Sequence, residues 1–146
     1  MTDSPRQGLD TFTRRYLVIL ICLAAALLLW WLAGLDSRVS ELNKILRADP
    51  ELAAYPYQFE VISLQDGVAE MSSPRSAQVP VSQFLRLAYP QLANTSVTDD
   101  AMMAAQDTLA TLQSRAAKLV ASQGDVNSVR WTLDREWYAY HGIYLD

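Results

Sequence analysis

Few residues in this chain carry chemistry that catalysis can use, and their spacing favours no particular reaction. There is one histidine and one cysteine. His141 is the only side chain whose ordinary pKa lies near neutrality, so a Ser-His-acid mechanism would have to recruit it. It sits close to the C-terminus, is followed by Gly142, and no nucleophile-elbow motif accompanies it. Asp134 and Glu136, two apart, fall on one face if the segment is a strand and then mimic a carboxylate pair, although two solvent-facing acids explain the same spacing. A single cysteine excludes an intramolecular disulfide and a cysteine-based metal cluster. No His/Cys/Asp/Glu grouping has metal-ligand spacing. The five glycines are scattered, so no phosphate-cradling loop is present. Pro74-Arg75, within the polar loop Ser72 to Ser76, offers a cation to an anion, and a solvated connection is the plainer account. The expectation is therefore a protein that is not an enzyme and uses no cofactor or metal.

The elements around these residues begin with Tyr16 to Leu35, twenty residues without a charge. As a helix the run is about 30 Å long, matching the hydrocarbon thickness of a bilayer. It is apolar all round, whereas a helix on a soluble core keeps a polar stripe. Ala24-Ala25-Ala26 lies mid-run and is followed by Leu27-Leu28-Leu29-Trp30-Trp31, a poor context for signal cleavage, so an uncleaved transmembrane helix is expected. Cys22 follows Ile21 rather than the small residue a lipoprotein signal needs, and reads as an apolar residue of that helix.

Arg14 and Arg15 abut the run at its N-terminal side. Basic residues set topology by proximity to the membrane, so residues 1–15 are expected to be cytoplasmic and the rest of the chain outside. Trp30 and Trp31 then lie toward the outer interface, where indoles concentrate. Thr13-Arg14-Arg15-Tyr16-Leu17-Val18 also fits a loose twin-arginine pattern, but the core is strongly hydrophobic and topology-setting charge explains the pair.

Removing the first 35 of the 146 residues leaves 111, enough for one small domain. That portion has nine Lys/Arg against fourteen Asp/Glu, a balance that argues against nucleic acid and against extended contact with anionic lipid. Residues 36–48 read as an amphipathic helical connector with Val39, Leu42, Ile45 and Leu46 on one face, either a rigid stalk or, by a small preference, a face that packs against the domain at 49–146. Asp49-Pro50-Glu51 is a helix start, cut short by Pro56. Phe59 to Leu64 and Val68 to Met71, joined by Gln65-Asp66-Gly67, read as a β-hairpin. A short helix over 82–88 ends at Pro90. Thr98 to Gln123 reads as a long helix capped by Thr98 and stopped by Gly124. Met102, Ala105, Leu109, Leu112, Ala116 and Leu119 form a seam along it, either a coiled-coil contact or, preferably, the face that packs on the domain's own sheet. Val129, Trp131 and Leu133 alternate with polar residues as a half-buried strand. The expected fold is α+β: an N-terminal transmembrane helix, then a small domain with an antiparallel sheet packed by the long helix.

The C-terminal segment is rich in aromatics, which combine large contact area with a polar handle. Trp137, Tyr138, Tyr140 and Tyr144 are the candidate partner surface, although Trp131 and Trp137 read better as core and Tyr140 and Tyr144 suit core and surface equally. The leading expectation is a membrane-anchored, non-enzymatic accessory or interaction protein of the cell envelope that meets another envelope protein or a second copy of itself. A small-ligand sensor domain and a hydrolase using His141 are the alternatives.

Tyr55-Pro56-Tyr57 leading to Phe59, Asp66-Gly67-Val68-Ala69, Ser73-Pro74-Arg75-Ser76 and Val129-Arg130-Trp131-Thr132-Leu133-Asp134 together resemble small single-pass bacterial inner-membrane proteins. The resemblance implies an inner-membrane anchor with a periplasmic domain and brings no activity with it. Asp66-Gly67-Val68 in a hairpin and Asp125-Val126-Asn127-Ser128-Val129 before a strand are similar to BON-type periplasmic domains, which bind membranes or partners. Ser72 and Ser73 replace the glycine of that pattern, and the aromatic end departs from it.

Overall fold

The computed structural model describes residues 11–145; the segment 1–10, which begins the expected cytoplasmic stretch, and Asp146 lie outside it. The elements are α1 (Thr11–Ala48), α2 (Pro50–Ala53), β1 (Val61–Gln65), β2 (Val68–Ser73), α3 (Val81–Ala88), a 3-10 turn (Pro90–Leu92), α4 (Asp100–Ala121), β3 (Ser128–Leu133) and α5 (Arg135–Tyr140). The chain divides into two compact units, one ending at Ser37 and one beginning at Arg38.

In the first unit, α1 is long and apolar enough to cross a membrane. Its side chains are exposed from Phe12 to Gly34, including Leu17, Ile21, Leu28, Trp30 and Trp31. Such a surface is far larger than the apolar patch a soluble monomer tolerates. Arg14 and Arg15 stand at one end of the uncharged run and Trp30 and Trp31 near the other. From Arg15 to Trp30 the helix rises about 22 Å.

The second unit opens with the last turns of α1. Leu42 and Leu46 are fully buried, and Val39 and Ile45 pack beside them. The apolar face of 36–48 is thus core material. Arg38 grips Asp125 with two nitrogens, at 2.6 and 2.7 Å, and Glu41 at 2.8 Å. These bonds hold the Asp125 carboxyl below its usual range despite some loss of hydration.

The sheet has three strands in the order β1-β2-β3. β1 and β2 form the expected antiparallel hairpin, with Gln65 opposite Val68. Asp66 and Gly67 both take positive φ, 51° and 76°, as a two-residue primed turn requires. β3 corrects the sequence-based expectation: it runs parallel to β2, Val68 opposite Ser128 through Ser73 opposite Leu133, so the sheet is mixed. Parallel neighbours need a long crossover, and α3 and α4 lie within it. Gly67 also seats the start of β3, since its carbonyl accepts the amides of Asn127 and Ser128 at 2.7 and 3.2 Å.

The two sheet faces differ in chemistry. Ala69 and Met71 are fully buried on one. On the other, Glu70 accepts from Thr132 at 2.5 Å and Ser63 at 3.2 Å, with Arg130 at 3.5 Å. Those hydroxyl bonds lower the Glu70 pKa.

α4 starts one residue later than expected. Asp99, not Thr98, is the N-cap, accepting the Ala101 amide at 2.9 Å, and the helix ends at Ala121 with Ser122 as its C-cap, before Gly124. Of the seam, Met102, Leu109, Leu112 and Ala116 are buried in the core cluster, with Ala105 and Leu119 half-buried against it. That seam is occupied by the domain itself and is not free for a coiled coil. α4 touches α2, α3 and β3.

Candidate functional site: the C-terminal aromatic surface and the Arg75 loop

α5 and the residues after it carry the candidate partner surface, and capping explains their placement. β3 stops at Leu133, and Asp134 is the N-cap of α5, its Oδ1 accepting the Trp137 amide at 2.9 Å. Its Oδ2 accepts the Tyr57 hydroxyl at 3.1 Å, and its own amide donates to the Ser73 carbonyl at 2.9 Å. Asp134 and Glu136 therefore do not share a strand face. One caps a helix and the other lies in its first turn, where negative charge suits the helix dipole. The signal was an acid three residues before Trp137 with a second acid between.

Two aromatics fix α5 to the core. Tyr138, expected on the partner surface, is fully buried, and its hydroxyl donates to the Pro74 carbonyl at 2.5 Å. Burial pushes that hydroxyl up to about 12. Trp137 is half-buried, with ring centroids 5.0 Å from Phe84, 5.1 Å from Tyr138 and 6.2 Å from Tyr57. Trp131 is also half-buried, 6.0 Å from Phe59.

Three side chains then face solvent. Tyr140 is 90% exposed and Tyr144 84% exposed. His141 is exposed and stacks on Trp137 at 3.9 Å. Its Nδ1 lies 2.7 Å from the Trp137 carbonyl, which can only accept, so Nδ1 carries a proton. Among the described residues the His141 ring bonds neither a carboxylate nor a hydroxyl, so the triad that would need it is not assembled. No group of three or more His, Cys, Asp or Glu among the described residues is arranged to hold a metal ion.

A second cluster lies in the loop after β2. Ser73 is buried; its hydroxyl donates to the Arg75 carbonyl at 2.9 Å and receives the Arg75 amide at 3.3 Å. Gln113 of α4, also buried, donates to that hydroxyl at 3.3 Å and accepts Arg75 Nε at 2.9 Å. The bond between Gln113 and Arg75 spans 38 residues, and no local sequence signal announces it. Arg75 borders two small open depressions of about 220 Å³ each, one shared with Trp131 and Ser114, the other with Val81 and Asp107. A wider groove of about 820 Å³ lies between Glu51 and α4, where Arg115 bonds Asp49 at 2.8 Å.

No protein-family model, curated protein or solved structure matches this chain.

Proposed function

We propose that this protein is a single-pass, membrane-anchored interaction module of the bacterial envelope, and that it acts by contact rather than by turnover. The N-terminus faces the cytoplasm, and the unit from Arg38 onward lies on the periplasmic side of the inner membrane. The anchor reading rests on an uncharged helical run, exposed along its length, with Arg14 and Arg15 at one end and Trp30 and Trp31 toward the other. The contact reading rests on one observation: Tyr140 and Tyr144 stand almost fully exposed beside a helix riveted by Tyr138 and Trp137. Exposed tyrosines offer large contact area with only two side-chain torsions to fix on docking, and concentrate binding energy.

The test uses the full-length protein in its membrane. A photo-crosslinking amino acid at position 140 or 144 captures a specific protein partner, and replacing both Tyr140 and Tyr144 with Ala removes the complex. The melting temperature stays unchanged, because neither ring is buried. Persistence of the same complex in the double variant overturns the contact reading. A phosphatase fused after Leu145 reports orientation: activity outside the cytoplasm is expected, and replacing Arg14 and Arg15 with Ala yields mixed orientation.

A further inference from the structure

We infer that Arg75 is a binding site for a single carboxylate, carried on an acidic side chain, a chain terminus or a small acid. The inference does not depend on the aromatic surface. Three described arginines of the second unit engage acids: Arg38 with Asp125 and Glu41, Arg115 with Asp49 and Glu51, Arg130 with Glu70. Arg47, Arg86 and Arg135 bond only backbone carbonyls. Arg75 makes no ion pair among the described residues, and its Nη1 and Nη2 form no hydrogen bond there.

Its guanidinium is nevertheless held in place. Gln113 is 94% buried, and both ends of its amide are committed, one to Ser73 and one to Arg75 Nε. Burying an amide is favourable only when it is hydrogen-bonded, so this relay restrains the exposed Arg75 side chain at its Nε. The two Nη groups form the fork that a carboxylate fills with paired bonds.

The surroundings select the ligand. Ala110, Ser114 and Ala117 leave open the depression that Arg75 shares with Gln113 and Trp131. At about 220 Å³ it is below the range of pockets that enclose drug-sized molecules and has room for one small acidic group. Arg75 is the sole cation bordering either depression, and Asp107 borders the second. A single cation matches a monoanion better than a phosphate dianion.

The experiment follows the Arg75 Nε–H signal of the full-length protein in detergent by NMR, assigned through Arg75→Lys. The probes are N-acetyl-glutamate amide, N-acetyl-glutamine amide, succinate and inorganic phosphate. Saturable shifts are expected with the glutamate probe at millimolar concentration, at least fivefold larger than those of Arg47, an exposed arginine whose Nε also donates to a carbonyl. The glutamine probe should have no effect. Succinate matching the glutamate probe assigns the site to any small carboxylate; a stronger response to the glutamate probe assigns it to a polypeptide side chain. Gln113→Leu should weaken the response severalfold while Arg75 remains present. Equal shifts at Arg75 and Arg47, equal effects of the two amide probes, or preference for phosphate each overturn the inference.

Discussion

Asn43 satisfies both backbone groups of Val61, its Nδ2 donating to the carbonyl at 3.0 Å and its Oδ1 accepting the amide at 2.7 Å. The side chain acts as a short extra strand on β1, where the pairing with β2 becomes irregular between Val61 and Ser63. Asn43→Ala leaves a half-buried amide and carbonyl unpaired and should cost about 1–3 kcal/mol of stability. Urea unfolding in detergent measures it. Asn43→Asp keeps the acceptor for the Val61 amide but sets a carboxylate oxygen against the Val61 carbonyl, so it should be no better than alanine at neutral pH and recover as acid protonates it; a variant as stable as the wild type at neutral pH would contradict the paired bonds.

Gly67 is constrained twice. Its φ is +76°, and a Cβ there would lie 2.2 Å from Asn127 Nδ2. Gly67→Ala should destabilise by about 1–2 kcal/mol from the backbone alone, with more from displacing Asn127. Adding Asn127→Gly should recover the steric share and not the backbone share. A double variant no more stable than Gly67→Ala would show that Asn127 moves aside freely.

Two buried tyrosine hydroxyls should respond oppositely to removal. Tyr138 donates to Pro74, so Tyr138→Phe strands a buried carbonyl and should cost about 1–3 kcal/mol. The Tyr55 hydroxyl is buried with no well-formed hydrogen bond among the described residues, the Tyr89 phenol lying nearby. Tyr55→Phe removes an unpaid desolvation and should leave stability unchanged or raised. Thermal midpoints of the two variants decide this, and a large loss in Tyr55→Phe would reveal a bond the structure lacks.

Acid should loosen the domain through three carboxylates. Burial raises Asp49, but the Leu52 amide, Arg115 and the Glu51 amide outweigh it and lower its pKa. Glu70 is lowered by Thr132 and Ser63, and Asp125 by Arg38. A carboxyl with a depressed folded-state pKa contributes stability that is complete above its unfolded value, about pH 4, and lost as pH falls through the folded value. The thermal midpoint should therefore be insensitive to these groups between pH 7 and 5 and drop below about pH 4. Glu70→Gln should flatten that acid limb, and a midpoint that rises toward acid would contradict the pairing.

The hairpin was legible because Asp66-Gly67 states its turn chemistry locally. The helix over 100–121 was legible because its apolar period marks one buried face. The direction of β3 was not. Alternation of Val129, Trp131 and Leu133 tells which face is buried and says nothing about which way the neighbour runs. The length of the chain between Ser73 and Ser128, with two helices in it, was the physical clue to a parallel crossover. Of the candidate surface, Tyr140 and Tyr144 suit core and solvent equally in sequence and stand in solvent, while Tyr138 is buried, because its place depends on a carbonyl 64 residues earlier. Arg75 was noticed as a cation, but its buried support, Gln113, belongs to a helix whose polar positions all look alike in sequence.

The final turns of α1 bear on how the protein can be cut and spliced. A version beginning at Asp49 keeps all three strands and α4, yet it loses the two leucines that close one wall of the core and the amide that completes Val61. Such a fragment would expose greasy surface and invite aggregation. A water-soluble version must start close to Arg38, after the apolar run and before Leu42. Nor is there slack between Leu42 and Leu46 for an inserted residue, since adding even one would rotate Leu42 by about 100° relative to Leu46. Extra length is better accepted in a solvent-facing stretch such as Asn94 to Ser96.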